Sequence, residues 1–204
     1  LNDLDDRAAV KAMCAATGTP FEVTGAAHLP GLGNAKAGSR TLLRIEGMVA
    51  SVAYRAGKLA EALSEFGGAD ILQGDDSLQA WRSVRDVHQL VEPADRLVWK
   101  VSLPPTKGPD FVAASGAEAY FYDWSGGLVW MATSMKADME AIHRLAAKLG
   151  GHALLVRAPA DVRATASVFQ PQPEAVAKLS AGIKASFDPK YILNAGLMAP
   201  EAAG

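Results

Sequence analysis

Histidine titrates nearest neutral pH of all the side chains, so proton chemistry points first to His28, His88, His143 and His152. No two of them stand in a His-x-x-x-His spacing. With Cys14 as the single cysteine, the chain has no multi-cysteine metal site and no internal disulfide framework. His28 ends one extended segment and His152 begins another, and strand ends are where active-site residues often lie. These two are the catalytic candidates, with an ordinary hydrogen-bonded histidine as the alternative for each. His88 and His143 fall inside helical segments and read as surface or boundary residues. Cys14 lies in an apolar helical stripe and reads as packing. The acid pairs Asp5-Asp6 and Asp75-Asp76 read as helix-start charges rather than an acid/base couple. Gly31-Leu32-Gly33 lacks the third glycine and the strand-to-helix setting of a dinucleotide fingerprint, and there is neither a Walker lysine motif nor a Gly-x-Ser-x-Gly elbow. Residue spacing alone reveals no complete catalytic set.

The elements that would position these residues follow from pattern. The 204 residues are 50% hydrophobic and 21% charged, the balance of a chain that buries a core. Twenty Lys and Arg against 22 Asp and Glu give a net charge of −2, which argues against a nucleic-acid partner. The longest stretch without Lys, Arg, Asp or Glu, Val23 to Ala35, has 13 residues and contains Pro30 and several glycines, too short and broken to span a bilayer. A lone cysteine fits a reducing compartment, so the expected location is cytoplasmic.

Helical periodicity runs over Leu4–Thr17, Met48–Phe66, about 75–90, Met135–Leu149 and up to Phe187, with a short helix near Phe111–Ser115. Strand alternation marks Phe21–His28, Ser39–Gly47, Asp70–Gln73, Arg96–Leu103, Glu118–Trp124, Leu128–Thr133 and His152–Arg157. From residue 95 the order is strand–helix–strand–strand–helix–strand, the ferredoxin-like split βαβ arrangement. Residues 1–74 repeat it without the opening strand, residues 75–158 form the second half, and 159–204 are a tail. The expected fold class is therefore α+β: two ferredoxin-like pseudo-repeats, an antiparallel sheet covered by helices on one face, and a C-terminal helical tail. Leu1 is expected to lie just after a strand of a larger protein. An α+β domain with an ordinary N-terminal helix remains the other reading.

Alternation also sorts strand side chains by face. Arg44 and Glu46 oppose Leu43 and Ile45; Val98, Lys100 and Ser102 oppose Leu97, Trp99, Val101 and Leu103; Tyr120, Tyr122 and Trp124 oppose Ala119, Phe121 and Asp123. Charged and aromatic side chains thus lie on a side that the helices do not need. Such a face is either open to solvent or the cover of a ligand or second domain, and Arg44, Glu46 and Lys100 are its candidate contacts.

The segment Ile183 to Gly196, with Phe187-Asp188-Pro189 and Leu193-Asn194-Ala195-Gly196, resembles the closing segment of FAD-linked oxidases of the vanillyl-alcohol oxidase type. Those end in a helix, Phe-Asp-Pro, and Leu-Asn-Pro-Gly followed by a basic residue. Five further stretches resemble the FAD-binding subunits of glycolate oxidase complexes: Pro20 to Pro30, Leu43 to Gly47 with Ser51 to Arg55, Trp99 to Pro105, Tyr122 to Gly127, and Phe169 to Pro173. The resemblance covers essentially the whole chain. It implies that residues 1–204 are one C-terminal cap domain, closing over FAD held by an N-terminal domain absent from this sequence. It also implies oxidation of a small 2-hydroxy acid to a 2-oxo acid, glycolate to glyoxylate, with further subunits including an iron–sulfur subunit and a possible peripheral membrane association through them. Asn194 and Arg157 are then cofactor-side residues, and His152 stands on the strand that faces flavin in relatives. The sequence departs from the family at Ala195 and Leu197. Gly151-His152-Ala153-Leu154-Leu155 replaces the histidine-rich strand of members that do the chemistry, so electron transfer within the complex is an alternative role. A non-catalytic ferredoxin-like assembly module is the other reading. No metal is expected.

Overall fold

Asp5 starts the first helix by accepting the Ala8 amide on its Oδ1 at 2.8 Å, and Gly18 ends it. In the computed structural model, which describes residues 1–31, 33 and 37–194, this helix is α1 (Asp6–Thr17). It is followed by β1 (Val23–Leu29), β2 (Arg40–Ile45), α2 (Val49–Ala62), α3 (Gly74–Arg85) and β3 (Leu97–Ser102). Then come α4 (Gly108–Ser115), β4 (Ala119–Asp123), β5 (Leu128–Thr133), α5 (Met139–Lys148), β6 (His152–Arg157), α6 (Ala160–Thr165) and α7 (Glu174–Phe187). All strand pairings are antiparallel, in the order β2-β1-β4-β5-β3-β6.

The fold class is α+β, as the sequence pattern implies. The run β3-α4-β4-β5-α5-β6 carries the split βαβ order, with β3 between β5 and β6. The first half contributes α1-β1-β2-α2, and its β1 joins β4 where His28 faces Tyr122. The expected strand at 70–73 does not form. Ile71 and Leu72 are 58% and 44% exposed there, with no apolar face to rest on.

The main core lies between one sheet face and α1, α4 and α5, and is built on Leu97, Trp99, Val101, Tyr122, Val129 and Met131. Trp99 is fully buried, its Nε1 donating to Thr133 Oγ1 at 3.2 Å and its ring meeting His143 edge-on. Leu59 of α2 and Leu63 just after it pack on the same side, near Leu43 and Ile45.

The opposite face is not bare throughout. Val84 of α3 and Leu90 of the following turn cover Ala27, Leu29, Val98, Phe121 and Ala132. The helical cover thus extends beyond the single face expected, because this patch of the second face is itself apolar. Gathering such side chains under a helix removes them from water at about 25 cal/mol per Å². Past β6, Leu155 N–H donates to Val168 O at 2.9 Å, so the chain entering the tail borders the sheet. Helix α7 buries none of its residues.

Candidate functional site

What α3 leaves uncovered on the second face is the end of β3, β5 and β6 where Lys100 and Ser102 point outward. Register puts Lys100 between Trp130 and Leu154, and Ser102 between Leu128 and His152; Asp123 pairs with Leu128 one strand further on. The Lys100 ammonium stands 5.4 Å from the centre of the Trp124 ring and 5.8 Å from that of Trp130. Two indole faces hold it by cation–π attraction. Burial pushes the Asp123 carboxyl above its usual range, against the Trp124 amide that its Oδ1 accepts at 2.8 Å and the nearby Lys100 charge.

A turn of unusual backbone displays Trp124. Its φ is 50°, and those of Ser125 and Gly126 are 58° and 92°, three consecutive left-handed residues. For the two non-glycines this costs about 1–2 kcal/mol each. Packing holds the turn in place, since a Cβ on Gly126 would meet Val10 Cγ2 at 2.9 Å. Trp124 remains 63% exposed. The strained turn thus presents a large exposed aromatic beside Lys100. In the sequence Trp124 closes the strand pattern Glu118–Trp124, and the glycines at 126 and 127 are the signal of the turn that follows.

The structure brings Lys100 and His152 together on this open region, one row apart. It places the other candidates elsewhere. Arg44 pairs with Glu46 at 2.8 Å and lies over the Trp81 ring at 5.8 Å, while Glu46 also accepts Thr24 Oγ1 at 2.9 Å. This cluster sits on the edge strand β2, four strand spacings from β3, roughly 19 Å at the usual inter-strand distance.

His28 is fully buried on the helix-covered side. Its Nδ1 stands 2.9 Å from Thr41 Oγ1, and its Nε2 is 3.5 Å from Asp6 Oδ1, an electrostatic approach too long for a good hydrogen bond. The hydroxyls of Tyr120 and Tyr122 both donate to Asp6 Oδ2, at 2.7 and 2.9 Å. Burial opposes ionisation of Asp6, yet His28 and the two phenols outweigh it and hold the carboxyl below its usual range. The same burial, together with the neighbouring carboxylate, raises both phenols well above theirs. His28 thus belongs to a network that fastens α1 to β1 and β4.

Arg157 clamps the loop after α3. Its guanidinium donates to the carbonyls of Leu90 and Val91 at 2.9 Å each and of Pro93 at 3.3 Å. Replacing it by alanine is expected to cost about 1–3 kcal/mol through loss of charge-assisted bonds. The change is read as a lower thermal midpoint with increased proteolysis at 88–95; an unchanged midpoint would count against the clamp.

Asn194 closes the described tail with φ 50°. Before it, Asp188 accepts the Ile192 and Leu193 amides at 3.1 and 3.0 Å and the Lys184 ammonium, making the Phe-Asp-Pro segment a self-bonded turn. The Lys184 hydrogen bond leads the forces holding the Asp188 carboxyl below its usual range. Ala195 and Leu197 lie outside the described residues.

Among the described residues, no group of three or more His, Cys, Asp or Glu side chains is arranged to hold a metal ion, and no helix is long and apolar enough to cross a membrane. Two surface hollows, of about 270 and 470 Å³, include none of the candidate residues. In the open region two flat indoles flank a cation, and the sequence offers no glycine-rich cradle for a dinucleotide pyrophosphate. No protein-family model matches the sequence, and a comparison with curated proteins finds no significant similarity.

Proposed function

We propose that this chain is the cap portion of an FAD-dependent 2-hydroxy-acid oxidoreductase subunit of the glycolate oxidase type. The observation that carries the reading is the uncovered end of the sheet, where Lys100 stands between Trp124 and Trp130 with His152 one row away. The resemblance of the tail and five internal stretches to FAD-linked oxidases supports it. The partner is an N-terminal FAD-holding domain of the same protein, and the further partners are the remaining subunits, including an iron–sulfur subunit. The setting is cytoplasmic, with a peripheral membrane association through the complex.

When bound by that domain, flavin supplies the two-electron chemistry that takes glycolate to glyoxylate. This chain closes over the ring and excludes water with Trp124 and Trp130. Lys100 Nζ holds the substrate carboxylate by charge, and His152 offers an imidazole nitrogen for the hydroxyl proton. Asn194 and Arg157 enter on the resemblance alone: Asn194 as a residue beside the flavin at the end of the tail turn, and Arg157 through its strand.

Exposure of Leu179, Ile183, Phe187, Ile192 and Leu193, between 59% and 85%, favours a second reading, a module whose work is subunit assembly. Lys100→Met in the full-length complex separates the two. The cap reading expects kcat/KM to fall about 100-fold with flavin content and assembly intact. Unchanged turnover per assembled complex would overturn it, and lost assembly with normal turnover would favour the module.

A further inference from the structure

β2 is the outer strand of the sheet, and half of its free side is already taken. Leu1 N donates to Thr41 O at 3.0 Å and Leu1 O accepts the Thr41 amide at 2.8 Å, while Asp3 N–H donates to Ser39 O at 3.0 Å. Asn2 opposite Arg40 completes a short antiparallel ladder. Backbone groups along a strand point alternately to its two sides. With Thr41 turned outward to Leu1, alternation turns the amides and carbonyls of Leu43 and Ile45 outward as well, to the side of β2 on which no named strand of the sheet lies. An edge of this kind is a template for one more strand.

The helix above this edge is prepared for it. Leu1, Leu43 and Ile45 share a cluster with Leu59 of α2 and Leu63 just after it. Towards the start of α2, Val52 and Ala56 are only half-buried, and Met48 and Val49 are 82% and 88% exposed. The apolar stripe of α2 therefore extends past what covers it.

Topology names the occupant. In the second half, β3 precedes the first helix and lies beside β5, the second strand of the hairpin. The corresponding place in the first half, ahead of α1 and beside the hairpin's second strand, is the free side of β2. We propose that in the full-length protein the polypeptide directly preceding Leu1 fills it as a strand antiparallel to β2. It bonds to Leu43 and then Ile45, and the second and fourth residues before Leu1 are apolar and face α2. Leu1–Asp3 already set its direction and register, so the continuation needs no turn. A strand from another molecule would have to abut Leu1 end to end. This rests on the proposed function only in taking further polypeptide to precede Leu1, and it needs no flavin.

Hydrogen–deuterium exchange on the 204-residue chain and on the full-length protein tests it. The Leu43 and Ile45 amides are expected to exchange about 100-fold more slowly in the full-length protein. Those of Leu42 and Arg44, which face β1, should change little. Equal exchange at Leu43 and Ile45 in both proteins would overturn the assignment. So would a full-length protein with no polypeptide ahead of Leu1, or protection in the 204-residue chain that rises with its concentration, which places a second copy on the edge. A protected edge in a protein that binds no flavin would leave this inference standing and sink the cap reading; bound flavin over an unprotected edge would do the reverse.

Discussion

Replacing Asp6 by alanine is expected to lower stability by about 3–5 kcal/mol, because one carboxylate accepts from two phenols and faces a buried imidazole. Tyr122 is fully buried and Tyr120 partly so; both hydroxyls end on Asp6 Oδ2, and the buried His28 Nε2 faces Oδ1. In the alanine chain the two phenols keep their place under α1 and lose their acceptor, and each buried unsatisfied group costs about 1–3 kcal/mol. For a chain of this length that corresponds to a thermal midpoint roughly 10 °C lower. Asp6→Asn keeps an acceptor oxygen and should lose less.

The pH dependence has a definite sign. The folded-state carboxyl of Asp6 lies below its ordinary value. Its ionised form therefore contributes fully above the unfolded pKa, near 4, and the contribution fades as pH falls through the lower folded value. Melting curves of the wild-type and Asp6→Ala chains should draw together as pH drops below about 4. The raised phenols act at the other end: their contribution is present below about pH 10 and is lost as pH rises beyond it. Equal midpoints for the two chains at neutral pH would remove Asp6 from its place as the anchor of α1.

Asp6 also shows where the sequence is legible and where it stops. Its adjacency to Asp5 at the start of a helical pattern correctly marks a helix start, and alternation correctly sets Tyr120 and Tyr122 on one side of their strand. Neither signal says that a residue near the N-terminus and two phenols more than a hundred positions later meet, because periodicity orders side chains within an element and not between elements. The bounds of β6 follow directly from alternation, and β3 differs from its reading by one residue at each end. The segment 70–73 has a strand's composition but no neighbour to pair with, and pairing is what makes a strand.

The same limit explains the second face. Val98 was legible as lying opposite its strand's apolar set, but for β4 the faces are the reverse of the expectation. Tyr120 and Tyr122 lie on the helix-covered side, where Asp6 accepts their hydroxyls, and Phe121 lies on the second face under α3, which shows only when β1, β4, β5 and β3 are side by side. Lys100 could be picked out as the charged member of its strand. Its two indole neighbours could not, because Trp124 reaches it from a turn whose left-handed residues no pattern announces.

Gly151→Ala is expected to be strongly damaging, with the closest approach an added Cβ would make at any of the described glycines, and it bears on the candidate site as well as on the fold. Helix α5 ends with Gly150 at φ 80°, whose amide reaches Ala147 O at 3.0 Å, while the Gly151 amide reaches Ala146 O at 2.8 Å. This is a Schellman closure, and it delivers the chain straight into β6. The delivery is so close that a Cβ on Gly151 would lie 2.1 Å from Ser102 O and 2.5 Å from Leu103 Cδ2. The first contact is backbone and cannot rotate away, so β6 must lift from β3 where His152 pairs with Ser102. A forced shift of that kind costs more than about 3 kcal/mol, and it carries His152 away from Lys100. Gly150→Ala is the internal comparison. Its strain is the left-handed φ alone, about 1–2 kcal/mol, because the nearest atom to an added Cβ is Pro104 Cγ at 3.8 Å. Denaturant titration of the two variants should therefore rank Gly151→Ala well below Gly150→Ala in stability. The reverse order would mean that β6 does not start against Ser102, and the row joining His152 to Lys100 would lose its basis.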